Sequence, residues 1–206
     1  MKRHITTACL YTLVTAFMLG VLYPLLIAGI ARAAFRDKAN GELIEKNGAV
    51  VGSRIIGQAF TGTGFFHSRP SAAGYDSSAS TGSNLAPTSK ALLDRVMPSV
   101  FTESAGLAAV PIDLVTASGS GLDPDITPAA ALYQVSRVAR ERNLPKDAVH
   151  DLVLEHVTPR QFGLLGEPRV NVLELNLALL SLQRSNENHA SEPQVLLPKE
   201  TLVSLP

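Results

Sequence analysis

Residues 5–31 read ITTACLYTLVTAFMLGVLYPLLIAGIA, a run of 27 residues without a charged side chain. A helix of that length extends about 40 Å at ~1.5 Å per residue, and the hydrocarbon core of a bilayer is ~30 Å thick. The run is therefore long enough to cross a membrane with some tilt. We expect one transmembrane helix near the N-terminus of this chain.

A cleavable signal peptide is the main alternative for this run. Lys2 and Arg3 provide a basic start, and Ala31-Arg32-Ala33 could serve as a small-x-small cleavage site. The apolar core of a signal peptide usually contains ~7 to 15 residues, whereas this run is roughly twice as long and continues past Pro24. The length favours a retained anchor.

The surroundings of the span say little about orientation. Two basic residues precede it and Arg32, Arg36 and Lys38 follow, so the positive-inside rule does not choose a direction. Small residues within the span, Gly20 and Gly29 among them, would let another helix pack closely. This pattern suggests a helical partner in the membrane.

Composition limits what the rest of the chain can be. The chain has 206 residues with 18 basic and 18 acidic side chains, and this balance gives no support for nucleic-acid binding. About 150 residues remain for a single domain of ordinary size. We expect an N-terminus with its span over 1–35, an α+β domain over 36–183 and a polar, disordered tail over 184–206.

Turn and strand signals dominate the first half of the expected domain. Asn47-Gly48 is typical of a hairpin turn, and a strand is expected within 50–60. Residues 61–89 are rich in Gly and Ser and show little periodicity, which predicts a long loop. The alternation of apolar and polar residues over 111–117 predicts another strand.

Helical signals dominate the second half. Thr127 is a suitable N-cap and Pro128 a suitable first residue for a helix that reaches Arg142. Further helices are expected over 145–157 and 170–182, although the dense apolar run of the last segment also suits a strand. Together these elements predict an α+β soluble domain attached to one N-terminal transmembrane helix.

Motifs for phosphate or metal binding are incomplete. The turn Ser118, Gly119, Ser120, Gly121 lies between a predicted strand and a predicted helix, where backbone amides can hold an anion. It lacks the lysine of a P-loop and is followed by Asp123 and Asp125, which favours a structural Gly-rich turn. His150 and His156 are six residues apart, unlike the paired ligands of a zinc protease, so we predict no metal site.

Motifs for catalysis are also incomplete. Ser71, Ser118 and Ser120 could be nucleophiles by residue type, but none lies in a Gly-x-Ser-x-Gly turn. The chain lacks the Asp-Lys-Thr-Gly motif that P-type ATPases phosphorylate. We predict no catalytic residues. A membrane-anchored extracytoplasmic hydrolase or small-ligand binding domain stays open as the alternative function.

Several blocks of sequence resemble one protein family. They are VGSRIIGQ (51–58), FFHSRPSA (65–72), YD (75–76), GSNLAPT (82–88), DLVTASGSGLDPDI (113–126) and LGEPRVNVLELNLAL (165–179). In this order they are similar to the C subunit of the Kdp complex, the bacterial high-affinity potassium-transporting P-type ATPase. With the span, the resemblance covers about residues 5–180.

The resemblance implies a non-catalytic accessory subunit of an ATP-driven potassium uptake pump. It implies a single-pass protein of the bacterial inner membrane, with a cytoplasmic N-terminus and an extracytoplasmic domain. The expected partners are the potassium-translocating A subunit, the ATP-hydrolysing B subunit and a small F subunit. In this family the C subunit is held to stabilise the complex and is proposed to act as a catalytic chaperone that raises the ATP affinity of the B subunit. No cofactor is expected to bind firmly; ATP would act through the B subunit.

The chaperone idea concerns a Ser-Gly-Gly-Ser-Asn stretch that resembles an ABC-transporter signature. Here Thr81 replaces the first glycine, which weakens a nucleotide role, and an extracytoplasmic domain would not meet cytoplasmic ATP. We therefore interpret this loop as a docking surface, with Arg69, Tyr75 and Asn84 as buried hydrogen-bonding anchors of the loop or of an interface. The candidate docking or nucleotide-related residues are Arg69, Tyr75, Ser80, Gly82, Ser83 and Asn84.

Overall fold

Helices and short strands follow a long N-terminal helical segment. The structure is a computed structural model and describes residues 1–46, 48–104 and 109–191. The elements in chain order are α1 (Lys2–Phe17), a π-helical turn (Met18–Leu22), α2 (Tyr23–Ala34), α3 (Arg36–Ala39), β1 (Leu43–Lys46), β2 (Ala49–Ser53), α4 (Lys90–Glu103), a 3-10 turn (Ile112–Leu114), β3 (Asp125–Ile126), α5 (Pro128–Arg142), α6 (Lys146–Glu155), β4 (Val157–Thr158), β5 (Arg169–Asn171) and α7 (Val172–Ser191). The predicted α+β domain on one helix is confirmed.

The N-terminal segment is a single apolar helix with no buried residue. Lys2–Ala34 contains 33 residues with a mean hydropathy of 2.2, and no residue of α1 or α2 is buried. Within the described parts of the chain it is the one helix long and apolar enough to cross a membrane. Its exposed side chains need lipid or another protein around them.

The π-helical turn accommodates Pro24. In a regular α-helix the proline ring would press against the carbonyl of Gly20, four residues earlier. Instead, the Tyr23 N–H donates to the carbonyl of Met18, five residues back. This wider turn makes room for the ring, so the helix continues through the proline.

Two small antiparallel sheets make up the strand content. β1 and β2 form a hairpin, with Leu43 opposite Ser53. In the second sheet β5 lies between β3 and β4, and Val170 pairs with both Ile126 and Val157. β5 thereby joins the segment before α5 to the segment after α6.

The core lies between α5, α6, α7 and the second sheet. The Thr127 hydroxyl caps α5 by accepting from the Ala130 N–H at 3.2 Å, and Asn143 ends the helix with φ +53°. This helix was predicted and is confirmed. The buried apolar side chains are Phe66, Leu114, Ile126, Ala130, Ala131, Val135, Val138, Ala139, Leu144, Val149, Val153, Val170, Val172, Leu175 and Leu179.

The strand predicted over 111–117 is wrong, whereas the strand expected within 50–60 is present but short. Residues 111–117 contain a 3-10 turn, because the Ile112 carbonyl accepts from the N–H groups of Val115 and Thr116. The strand expected within 50–60 ends at Ser53 and belongs to a hairpin whose turn includes Gly48, with φ +77°. Asn47, the other residue of the predicted turn, lies outside the described residues.

The helical predictions also need correction. Residues 169–171 form β5, so the apolar run after 170 begins as a strand and continues as α7. α7 extends to Ser191, into the segment predicted as a tail, and residues 192–206 lie outside the described residues. α4 was not predicted. It contains Pro98, and because it buries no residue its sequence lacks a strong apolar stripe. The domain boundaries stay predictions.

Two buried carboxamides hold the backbone of Phe66 and His67 between α5 and α7. Asn176 accepts from the Phe66 N–H at 2.9 Å and donates to the Phe66 carbonyl at 3.0 Å. Gln134 accepts from the His67 N–H at 2.7 Å and donates to the His67 carbonyl at 3.3 Å. Both side chains are 1% exposed. Among the described residues no strand lies beside this segment. The two side chains therefore supply the hydrogen-bond partners that a neighbouring strand would provide.

The Asn176→Leu variant tests this clamp. It leaves the N–H and carbonyl of Phe66 buried without partners, which should lower the free energy of unfolding by about 2–5 kcal/mol. Urea unfolding of the detergent-solubilised full-length chain, followed by circular dichroism, measures the loss. Asn186→Leu makes the same change at an exposed position of α7 and should cost less than ~0.5 kcal/mol. Equal losses in the two variants would contradict the clamp.

Candidate functional site

The structure brings the two Gly- and Ser-rich loops into contact. The Thr81 N–H donates to the carbonyl of Ser120 at 2.9 Å, and the Ser80 hydroxyl donates to the same carbonyl at 3.2 Å. The N–H of Ser118, which is buried, donates to the Pro70 carbonyl at 3.3 Å. We call residues 69–84 and 117–123 the paired loops, since each supports the other.

Glycines allow this close approach. A Cβ added at Gly82 would lie 2.9 Å from the carbonyl oxygen of Gly119, and one at Gly121 would lie 2.6 Å from that of Thr81. Gly121 also has φ +68°, a conformation that favours glycine. The backbone at Gly82 therefore faces the Gly119 backbone, and the space a phosphate would need at this point is occupied by protein.

Ser71 and Tyr75 organise the first of the paired loops. The Ser71 hydroxyl donates to the Gly121 carbonyl at 2.6 Å and accepts from the N–H groups of Ala73 and Tyr75. The Tyr75 hydroxyl donates to the Arg69 carbonyl at 2.6 Å, and burial raises its pKa, which keeps the donor protonated. The Ser71 proton thus takes part in a contact between the loops.

Arg69 connects the loops through its guanidinium. Nη1 donates to a carboxylate oxygen of Asp123 at 3.0 Å and Nη2 to the Ala117 carbonyl at 3.5 Å. The Nε atom is buried and has no hydrogen-bond partner among the described residues. A planar guanidinium with several fixed donors suits this bridge between a carboxylate and a backbone carbonyl better than a lysine would.

The remaining predicted residues lie at the edge of the paired loops. Ser83 is half-buried, whereas Asn84 is exposed and has φ +51°. Asn84 is thus not buried within its own chain, and its role as an anchor of the loop or of an interface stays a prediction. Asparagine tolerates the left-handed backbone conformation better than most residues, so its backbone requirement accounts for its presence there.

Carboxylates surround the end of the paired loops. A carboxylate oxygen of Asp125 lies 3.0 Å from the Arg169 guanidinium. Burial raises the pKa of Asp125; the positive charge of Arg169 opposes this rise, and the negative charge of Asp123 adds to it. The pocket here is lined by four acidic and two basic side chains, which repels a phosphate more than it attracts one. Its charged residues are Arg69, Asp113, Asp123, Asp125, Glu167 and Arg169.

Two further arginines hold the loop that precedes this site, and the sequence analysis did not select them. Arg137 donates to the Phe65 carbonyl at 3.0 Å and to the Thr63 carbonyl. Arg142 donates to the Gly64 carbonyl at 2.6 Å and lies 4.3 Å from the centre of the Phe65 ring. Gln134 and Asn176 were missed as well. Their signal in the sequence is a polar residue at helical spacing within an otherwise apolar stripe.

Comparison with known proteins decides the family. The family described as "KdpC: K+-transporting ATPase, c chain" matches residues 5–181. This chain belongs to the KdpC family. The Potassium-transporting ATPase KdpC subunit of Acidobacterium capsulatum is 58% identical over 179 residues, covering 86% of this chain and 97% of the relative. The subunit of the same name from Koribacter versatilis is 55% identical over 183 residues, covering 87% and 95%.

Membership confirms the resemblance read from the sequence blocks. The chain is a subunit of a bacterial potassium-transporting ATPase and a component of that complex rather than its catalytic subunit. Its single candidate membrane helix agrees with a single-pass protein. The alternative of an independent hydrolase or ligand-binding domain loses its support.

Glycine substitutions test the packing of the paired loops. Gly121→Ala adds a Cβ at positive φ and against the Thr81 carbonyl, whereas Gly74→Ala adds one at φ +62° with no atom within 4 Å. Gly74→Ala should cost about 1–2 kcal/mol from backbone strain alone. Gly121→Ala should cost about 1–3 kcal/mol more from the clash. Urea unfolding measures both, and equal costs would show that the loops do not pack closely.

The raised pKa of Asp125 gives a pH dependence. The pKa of the Asp125 carboxyl is higher in the folded state than in the unfolded state. Its contribution to stability is therefore complete below the unfolded-state pKa, and it is lost as pH rises through the folded-state pKa. Asp125→Asn removes this titration, so the variant should gain stability relative to the wild type between pH 3.5 and pH 7. Unfolding free energies at the two pH values measure the difference. A relative loss over this interval would contradict the sign.

Proposed function

We propose that this chain is an accessory subunit that stabilises the assembled potassium pump through contacts in and beside the membrane. The observation that carries the proposal is the apolar segment Lys2–Ala34, which buries no residue within its own chain. Small residues in it, Gly20 and Gly29 among them, permit close packing with another membrane helix. The proposed partners are the potassium-translocating A subunit, the ATP-hydrolysing B subunit and a small F subunit.

We further propose a cytoplasmic N-terminus and an extracytoplasmic domain in the inner membrane. The family resemblance supports this orientation, and the nearly balanced flanking charges do not oppose it. Long domains also cross membranes largely regardless of their charge. In this orientation the paired loops face away from cytoplasmic ATP.

A catalytic-chaperone role, in this proposal, acts through protein contacts and not through nucleotide held by the paired loops. The Gly82 backbone is packed against Gly119. The neighbouring pocket has more acidic than basic side chains in its lining. Both features disfavour a phosphate at this position. The chain would raise the ATP affinity of the B subunit by holding the complex in a competent arrangement.

Arg69→Ala tests docking by the paired loops. Loss of the guanidinium frees Asp123 and the Ala117 carbonyl, so the loops should lose their relative position and the yield of intact complex should fall several-fold. The apparent potassium affinity of the remaining complex should change much less. The measurements are the amount of this chain recovered per tagged A subunit and the potassium dependence of ATP hydrolysis.

Arg140→Ala is the matched control, because Arg140 lies on α5 with a side chain that is 77% exposed. It should leave the yield unchanged. Circular dichroism of each isolated variant separates misfolding from lost docking. A normal yield with an altered potassium affinity for Arg69→Ala would refute the docking role.

Gentle solubilisation tests the accessory role itself. The chain should purify together with two larger integral proteins and with potassium-stimulated ATPase activity. A lone protein of 21.9 kDa with hydrolase activity would instead establish the alternative function.

A further inference from the structure

The turn between β4 and β5 presents three apolar side chains to solvent. Phe162 is 86% exposed, Leu164 80% and Leu165 60%. We call these three residues the apolar tip. Large apolar side chains scattered singly over a surface are ordinary, but three within four residues on one turn form a local patch of the kind that marks interaction sites.

The apolar tip is held in a defined conformation. The N–H of Gln161 donates to the Leu165 carbonyl and the N–H of Leu165 donates to the Gln161 carbonyl, both at 2.9 Å. Phe162 has φ +55°, which is unfavourable for an aromatic residue and places strain at the most exposed member of the tip. A turn that is already ordered loses little conformational entropy when a partner binds it.

The hairpin of β4 and β5 lies on the side of the domain where the chain leaves the spanning helix. One cavity is lined by residues 34–38 together with Glu42 and Arg54. A second cavity has Glu42 and Arg54 on one side and Thr158 and Arg169 of the hairpin on the other. A third extends from Thr158 and Arg169 along the turn itself. These shared walls connect the end of α2 to the apolar tip.

The charged side chains of the hairpin are neutralised by near neighbours. Arg160 lies 2.5 Å from Glu167, and Arg169 lies 3.0 Å from Asp125. Segments that bind bilayers usually combine apolar residues with free basic side chains that attract anionic lipid. An apolar tip with paired charges at its base fits a protein pocket better than a lipid surface.

We propose that the apolar tip inserts into an uncharged apolar pocket on a membrane-embedded subunit of the same pump. This proposal rests on the proposed accessory role and identifies a surface through which the chain would bind the pump. Phe162 is the central anchor, and Leu164 and Leu165 exclude water around it, as in interfaces dominated by a few aromatic residues. The three adjoining cavities place the tip on the same side of the domain as the end of α2, which favours a membrane-embedded partner over a soluble one.

The test uses the full-length chain produced together with the other pump subunits. The double variant Phe162→Asn, Leu164→Gln removes the two most exposed side chains of the apolar tip, and asparagine keeps the left-handed backbone at 162 accessible. With an affinity tag on this chain, membrane-embedded subunits identified by mass spectrometry should be retained about tenfold less after a detergent wash. The control variant Phe101→Gln, Ile112→Gln removes two other apolar side chains, 75% and 70% exposed, and should retain them as the wild type does.

A photo-crosslinking amino acid at position 162 in native membranes identifies the occupant directly. A crosslink to a membrane-embedded pump subunit supports the proposal. Crosslinks to lipid alone, or equal retention by the tip variant and the wild type, overturn it while leaving the accessory role intact. A wild-type chain that retains no pump subunit overturns the accessory role and, with it, this inference.

Discussion

The fold depends on satisfying a backbone segment that crosses the core without a neighbouring strand. Phe66 is fully buried, and its N–H and carbonyl have no sheet partner, so Asn176 takes the place of one. Gln134 does the same for His67 from the opposite helix. Buried backbone groups without such partners would cost several kcal/mol, which exceeds what a small core can easily lose. The two carboxamides therefore determine how this part of the long loop lies between α5 and α7.

This anchoring gives a long loop a fixed position without regular secondary structure. Beyond His67, the Arg69 guanidinium donates to Asp123 and the Ser71 hydroxyl donates to the Gly121 carbonyl. Each contact joins segments about 50 residues apart, and the glycines let the two backbones approach. A loop of this length is usually mobile or functional, and here its polar groups bond within the domain. The paired loops thus form one hydrogen-bonded surface feature, which suits the docking role proposed for them.

The apolar surface of this protein is distributed in a way that suits a subunit of a membrane complex. The spanning helix buries none of its residues in its own chain, and the apolar tip projects from a turn that three adjoining cavities connect to the end of that helix. The domain between them has a continuous core built on α5, α6 and α7. Among the described residues, the chain thus joins a packed domain to two exposed apolar surfaces, and membership in the KdpC family is consistent with the proposal that other pump subunits cover them.

The sequence by itself determined the features that depend on local pattern. The uncharged run of 5–31 indicates the membrane helix, Thr127 and Pro128 mark the start of α5, and the ordered blocks identify the family. Tertiary structure alone decided the features that join distant residues. Asn176 bonds to Phe66 across 110 positions, and local periodicity contains no information about such a partner. The predicted long loop over 61–89 and the Gly-rich turn at 118–121 likewise become one surface only when the core brings their backbones together.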